Sequence, residues 1–322
     1  MSDPPPLPAF PPRDPQGHKG TFGTVAVVGG CALAETRMIG APTLSATAAL
    51  RVGAGLARLV MPEPVLNAGL TLAPWTTGRA IPTDSRGEII PHEAASVIDA
   101  VVKMCNCLAI GPGLGRGEGP RAATLRAIQQ EDVPVVVDAD ALNALSEIPE
   151  LTLDLHAAAV LTPHPGEFKR LCEGLGLKNN LGMDQSRTGA AEQLAQRLGC
   201  IVVLKGARTV VSNGQSSWES TYIDSCLAVG GTGDVLTGVI AGLIAQFVAP
   251  PPPFALPAGM AAKMPKPDGK PLTLFDAACL GVEVHAVAAQ RWRASHANAA
   301  AGLLATELID QLPGAVEQLR SR

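Results

Sequence analysis

The sequence predicts an α/β fold, a central mostly parallel sheet with helices on both faces. Three observations carry this expectation. Short apolar runs alternate with longer helical patterns, the β-α-β rhythm of a parallel sheet. The unusual loops follow the apolar runs, and ligands of such sheets bind beyond the carboxyl ends of the strands. Finally, 47% of the 322 residues are hydrophobic but only 3% are aromatic. Ala, Val and Leu must then build the core, as in helices packed closely on a sheet that is dry on both sides.

In chain order, TVAVVGG (24–30) reads as a buried strand, APTLSATAALRVG (41–53) as a helix of small residues, and GLARLVMP (55–62) as a strand. HEAASVIDAVVKM (92–104) is an amphipathic helix before the strand CLAIGPG (107–113). The helix PRAATLRAIQQ (120–130) leads to the strand VPVVVDAD (133–140). AAVLTPHP (158–165) and CIVVLKG (200–206) are strands on either side of a helix over 184–199. Residues 208–221 predict a hairpin turning at Asn213-Gly214. An apolar helix over 235–249 stops at four prolines, and 274–312 is a helical final third. Residues 249–270 lack periodicity and read as an exposed insertion. The Pro-rich residues 1–17 read as an extended, poorly ordered arm, and 18–322 as a single domain without internal repeats.

A net charge of −4 argues against nucleic-acid and anionic-membrane partners. The N-terminus lacks the apolar core of a signal peptide, and the 235–249 run is too short to span a bilayer. Seven scattered cysteines in a chain of this size favour a reduced, cytoplasmic setting. Cys105 and Cys107 form a close pair, but no His follows at zinc spacing.

Chemistry concentrates in the loops. The Walker-type loop, G-x-G-x-x-G, HExxH and GxSxG are all absent; in GPGLGRG, Arg116 stands where a third Gly belongs. GGTGD (230–234) runs straight into an apolar helix. Glycines there turn backbone N–H groups inward, and the helix start adds unpaired donors and a positive dipole end. Such a loop holds phosphate oxygens without a lysine. Asp234 in the first turn can take a proton from an attacking hydroxyl, or can simply be a helix-start residue.

HPGE (164–167) offers His164 for a substrate and Glu167 for a metal or its waters, or else only a helix start and a surface histidine. Lys205 and Thr209, in KGART, can face phosphate and ribose or lie on a solvated hairpin. Asp138, Asp140 and Asn143 allow either a helix cap or a Mg²⁺ or phosphate-network role. His285, in an apolar helical pattern, reads as a packed histidine.

Seven stretches occur in one order: 19–30, 40–55, 110–115, 136–143, 161–168, 202–207 and 228–238. Together they resemble the NAD(P)H-hydrate dehydratase family of the ribokinase-like superfamily, over roughly residues 18 to 314 and with no fused epimerase domain before them. The resemblance implies an ADP-dependent (or ATP-dependent) repair enzyme with Mg²⁺, acting on the S-hydrates NADHX and NADPHX. The C6 hydroxyl is phosphorylated and phosphate is then eliminated, restoring NAD(P)H.

Position by position, the resemblance makes Asp234 the base, and Gly231, Thr232 and Gly233 the anion hole. It assigns Ala41, Gly113 and His164, beside Asp234, to the hydrated nucleotide. Lys205, Gly206, Ala207, Arg208 and Thr209, with Gly233, take the ADP side, and Glu167 the Mg²⁺ network. It also implies a homo-oligomer, a tetramer. One departure stands out: relatives often carry Asn-Pro-Gly-Met-Ala-Thr where this chain has Asp224-Ser225-Cys226-Leu227-Ala228-Val229. The rival readings are a ribokinase-like kinase of a thiazole or pyrimidine vitamin precursor, and a non-catalytic nucleotide sensor.

Overall fold

The computed structural model describes residues 6–177, 187–250 and 270–322. Among these, β1 (Thr24–Val28), β4 (Leu56–Pro62), β5 (Thr77–Ile81), β6 (Cys107–Ile110), β7 (Val135–Val137), β8 (Ala159–Leu161), β9 (Ile201–Leu204), β10 (Val210–Ser212) and β11 (Ser217–Glu219) make one sheet. Their spatial order is β11-β10-β9-β8-β7-β6-β1-β4-β5. Pairings from β5 across to β9 are parallel, and β10 runs antiparallel to β9 and β11. β2 (Cys31–Ala32) and β3 (Arg37–Met38) form a separate small hairpin.

Successive strand residues point to opposite faces, and both faces are dry. Val25, Val27, Leu59, Val136, Val160 and Val203 face one core. Ala26, Val28, Val60, Val135, Val137 and Leu161 face the other. The first core is covered by α1 (Gly40–Arg51), α2 (Glu63–Leu72), α9 (Thr232–Phe247), α10 (Leu274–Ser295) and α11 (Ala305–Arg320). The second is covered by α3 (Pro91–Val102), α4 (Glu118–Gln129), α5 (Ala139–Ser146), α6 (Leu151–Asp154), α7 (Pro165–Gly174) and α8 (Arg187–Leu198).

Small residues let α1 and α9 touch backbone to backbone. A Cβ on Gly238 would stand 2.0 Å from the Ser45 carbonyl oxygen. Ser45 Oγ donates to the Asp234 carbonyl at 2.7 Å, so the two helix starts open side by side at the sheet's carboxyl edge.

The expected elements are present, with four differences. The strand expected over 133–140 is only Val135–Val137, because Ala139, at φ 49°, turns the chain into α5. α2, α6, β5 and the β2–β3 hairpin fall where the sequence predicts no element. β5, TGRAI, is an edge strand with only Ile81 fully buried, so it leaves no apolar run to read. The helical final third splits into α10 and α11 at a turn where Ala297 and Asn298 take φ of 50° and 60°. Last, the expectation of a poorly ordered arm is corrected for residues 6–17. Phe10 is 7% exposed and meets Phe247 edge-on at 6.1 Å, while Arg13 donates to the Gly53 carbonyl and to Gln246. One aromatic anchor and one guanidinium suffice to dock an irregular segment. Residues 1–5, 184–186 of the expected helix, and 251–269 of the expected insertion lie outside the described residues.

Candidate active site

The loops after β1, β6, β7, β8 and β9 converge, as neighbouring parallel strands require. Hydrogen bonds knit them together: Gly30 N–H to the Pro112 carbonyl (3.1 Å), Gly115 N–H to Asp140 Oδ2 (2.9 Å), and Lys205 N–H to the Pro163 carbonyl (2.9 Å).

The anion turn sits at the start of α9. Gly231 is the N-cap at φ 92°, a left-handed conformation that favours glycine, and no side chain caps the helix. The first-turn N–H groups of Thr232, Gly233 and Asp234 therefore remain open to an incoming anion. The Thr232 hydroxyl does not point at an anion. It donates to the carbonyls of Leu227 (2.8 Å) and Val229 (3.0 Å), fixing the turn from behind.

Asp138 is the electrostatic hub. Although it is the N-cap residue of α5, its side chain caps nothing. Oδ1 accepts from Lys205 Nζ (2.7 Å) and Thr162 Oγ1 (2.8 Å), and Oδ2 from Thr237 Oγ1 (2.7 Å). Burial alone would raise its pKa, but the ammonium and two hydroxyls outweigh it and hold the carboxyl below its ordinary range. Burial likewise pulls Lys205 down, and the Asp138 and Glu167 charges more than restore it. Lys205 Nζ also stands 3.9 Å from Glu167 Oε2.

Asp234 and Glu167 behave differently. Burial, then the charge of Asp138, pushes Asp234 up to about 7 against the pull of Lys205. Burial lifts Glu167 to about 7 as well. Around Asp234, the charges of Asp138, Asp140 and Glu167 add to the rise and Lys205 opposes it. A proton acceptor with a pKa near neutrality is what general-base chemistry requires.

Glu167 is also the N3 residue of a capping box. Its Oε2 accepts the His164 N–H (2.8 Å), while His164 Nδ1 accepts the N–H of Gly166 (2.9 Å) and Glu167 (3.4 Å). With Nδ1 accepting, the imidazole carries its proton on Nε2, 3.3 Å from Glu167 Oε1. Burial and the nearby Lys205 and Arg170 charges lower the His164 pKa, so the ring is neutral around pH 7.

The sequence-named residues fall into two halves around Asp234. A cavity of 760 Å³ is lined by Lys205, Gly206, Ala207, Thr209, Thr232 and Gly233, with His164 and His285. It is large enough for a nucleotide. Ala41 and Gly113 meet outside this cavity's lining, where a Cβ on Gly113 would stand 3.3 Å from Ala41 Cβ. His164 therefore shares a wall with the KGART loop rather than with Ala41 and Gly113. Arg208 turns away to pair with Glu219 at 3.7 Å. The sequence left Asp138 between a helix cap and a Mg²⁺ or phosphate-network role, and it gave no signal for Thr237. The only available signal was the DADALN run at a strand end.

Among the described residues, no group of three or more His, Cys, Asp or Glu side chains forms a metal cage. The donor set still fits Mg²⁺ carried in on nucleotide phosphates, since carboxylates outnumber the ammonium and Mg²⁺ keeps much of its water.

A mostly parallel sheet with helices on both faces and its loops gathered at the carboxyl ends of the strands is a ribokinase-like fold. A ribokinase-like superfamily protein from Enterococcus faecalis shares the fold at a TM-score of 0.70 and 21% identity, over 98% of this chain and 93% of that one. The family model described as NAD(P)H-hydrate dehydratase matches residues 25–314, and the chain belongs to that family. It is 34% identical over 310 residues to the bifunctional NAD(P)H-hydrate repair enzyme of Salinibacter ruber, covering 94% of this chain and 50% of that one. A Bacillus subtilis ADP/ATP-dependent NAD(P)H-hydrate dehydratase, co-crystallised with ATP and Mg²⁺, is 29% identical at a TM-score of 0.72, over 97% of this chain and 95% of that one. The chain spans about half the length of the curated relatives it matches.

Proposed function

We propose that the chain is an ADP-dependent (S)-NAD(P)H-hydrate dehydratase, with ATP as an alternative donor. The observation that carries this reading is Asp234: a carboxylate near neutral pKa in the first turn of an open helix N-terminus, next to Thr232 and Gly233, which line a nucleotide-sized cavity. The donor nucleotide lies along Lys205, Gly206, Ala207 and Thr209. The hydrated nicotinamide nucleotide lies toward Ala41 and Gly113, with His164 at the border.

Asp234 accepts the proton of the C6 hydroxyl as its oxygen attacks the terminal phosphorus of ADP. AMP leaves, and N–H groups from the Gly231-Thr232-Gly233 turn hold the transferring oxygens. The C6–O bond then breaks. The ring-nitrogen lone pair expels phosphate, and loss of the C5 proton restores the dihydronicotinamide. The sum is hydrate plus ADP giving NAD(P)H, AMP and phosphate. Glu167 would hold Mg²⁺ through its water, and the ion would supply positive charge against the nucleotide phosphates.

A cytoplasmic setting and a homotetramer complete the proposal. All seven cysteines are free, and no described helix is long and apolar enough to cross a membrane.

The test supplies NADHX or NADPHX with ADP or ATP and follows the absorbance of the reduced nicotinamide. Recovery that needs both nucleotide and Mg²⁺ supports the reading. A stable phosphate ester formed from a vitamin-precursor alcohol, without cofactor recovery, overturns it in favour of the kinase. Nucleotide binding without turnover of either substrate points to the sensor.

A further inference from the structure

Residues 224–232 form one wall of the cavity and end at the anion turn. They hold only one 3₁₀ turn, Ser225–Leu227, capped by Asp224 Oδ1 accepting the Cys226 N–H at 2.9 Å. Segments with so little regular structure ordinarily open easily. This one is tied to a single helix at both ends.

At the far end, Arg293 in the last turn of α10 forms an ion pair with Asp224. The same guanidinium donates to the carbonyls of Ala299 (3.1 Å) and Asn298 (2.8 Å). At the near end, His285 of α10 contacts the Thr232 carbonyl through Nε2 at 2.9 Å. Burial lowers the His285 pKa to about 4, so the ring is neutral and Nε2–H is the donor. Between the ends, the Thr232 hydroxyl binds the Leu227 and Val229 carbonyls. His285 and Arg293 are separated by about 12 Å of helix, at roughly 1.5 Å per residue. The Asp224 side chain is only 6% exposed, with the Arg293 guanidinium as its ion-pair partner.

We infer that Arg293 is a positioning residue: by holding Asp224 it fixes the cavity wall, and through the Thr232 anchors it sets the geometry of the anion turn. Arg293 itself does not line the cavity. This inference rests on the cavity being the nucleotide site.

The experiment compares wild type with Arg293→Lys, Arg293→Met and the double variant Arg293→Met with Asp224→Asn. Hydrogen exchange is read at amides 225–233, ADP and ATP affinity by calorimetry, and steady-state kinetics with the hydrate. Arg293→Met should speed exchange across 225–233. It should weaken nucleotide binding and lower kcat by about 10- to 100-fold, the scale of a small misplacement of reacting groups. KM for the hydrate should stay within about twofold. Arg293→Lys should recover much of the loss. The double variant should keep the kinetic defect while regaining thermal stability, since the lost tie and not a bare carboxylate is the cause.

Lower thermal stability with unchanged exchange and nucleotide affinity overturns the inference, as does an equal rise in both KM values. If Arg293→Met does not fold, Arg293→Lys and Asp224→Asn are read for the same exchange and affinity changes. If wild type binds ATP and the variants rank as expected, but no hydrate turns over, the proposed reaction fails and the positioning role stands.

Discussion

Lys205 Nζ donates to Asp138 Oδ1 across 2.7 Å, tying the loop after β9 to the loop after β7. The side chains are 19% and 2% exposed, and the two Thr hydroxyls complete the Asp138 shell. This contact fixes two charges and leaves two other carboxylates, Asp234 and Glu167, without a full partner. Those two titrate near neutrality because burial penalises their charged forms and the Asp138 charge adds to it, while Lys205 offsets only part of the rise.

Asp234 should set the pH dependence of turnover. As a base it works ionised, so kcat/KM should rise with pH through an inflection near 7 in the free enzyme. Asp234→Asn should lower kcat by about 10²–10⁴-fold and abolish that inflection. Near-normal turnover in the variant would remove Asp234 from the mechanism.

The same carboxylate should weaken the fold. Its folded pKa of about 7 lies above the ordinary carboxylate value of 3.8. Between these values the folded state holds a proton that the unfolded state has released, so stability falls as pH rises across that window. Above pH 7 Asp234→Asn should therefore be more stable than wild type, by about 1 kcal/mol or more, or roughly 2–4 °C in Tm. The difference should vanish near pH 4, and calorimetric scans at three pH values check it.

Lys205→Met should break a buried pair and cost about 3–5 kcal/mol, because Asp138 is left charged and unpaired. Lys205 also pulls the Asp234 pKa down, so any residual activity should show its inflection displaced to higher pH. An unmoved pH profile would separate Lys205 from the base. Thermal unfolding and a pH–rate series provide the two readouts.

Two glycines of the anion turn should respond differently. A Cβ on Gly231 would stand 2.9 Å from both Ala305 Cβ and Leu44 Cδ1, at φ +92°. Gly231→Ala should therefore lose stability by about 1–3 kcal/mol as well as activity. A Cβ on Gly233 would meet only Lys205 Nζ, at 3.6 Å. Gly233→Ala should fold with an almost unchanged Tm yet bind nucleotide more weakly. Equal loss of stability in both would make the turn a folding element and not an anion site.

Phe10→Ala should destabilise the protein by about 3 kcal/mol, the scale of a buried aromatic truncation. Phe10 packs on Phe247 at the end of α9 remote from the cleft, and Arg320 lies 5.0 Å from its ring. KM and kcat at low temperature should be unchanged. Guanidinium unfolding checks the first expectation and steady-state kinetics the second.

Much of this was readable in the sequence because it is local. Apolar runs marked the central strands, and the chain's glycine and acidic loops fell at their carboxyl ends. The order of those loops carried the family resemblance. Weakly patterned pieces escaped: β5 because an edge strand needs little burial, and the split between α10 and α11 because Ala297 and Asn298 supply two of its turning residues, with only Gly302 to mark it in the sequence.

By itself the sequence determined the parallel sheet, the placement of the chemical loops and the glycine-to-aspartate turn, since these depend on periodicity and on residues adjacent in the chain. Tertiary structure decided the charge states. Asp138 meets Lys205 across 67 positions and Thr237 across 99, and Arg293 meets Asp224 across 69. Whether a carboxylate is a paired anchor or a base near neutrality depends on its access to water and on the charges within a few ångströms. Chain order does not encode those neighbours; they exist only once distant strands and helices have packed.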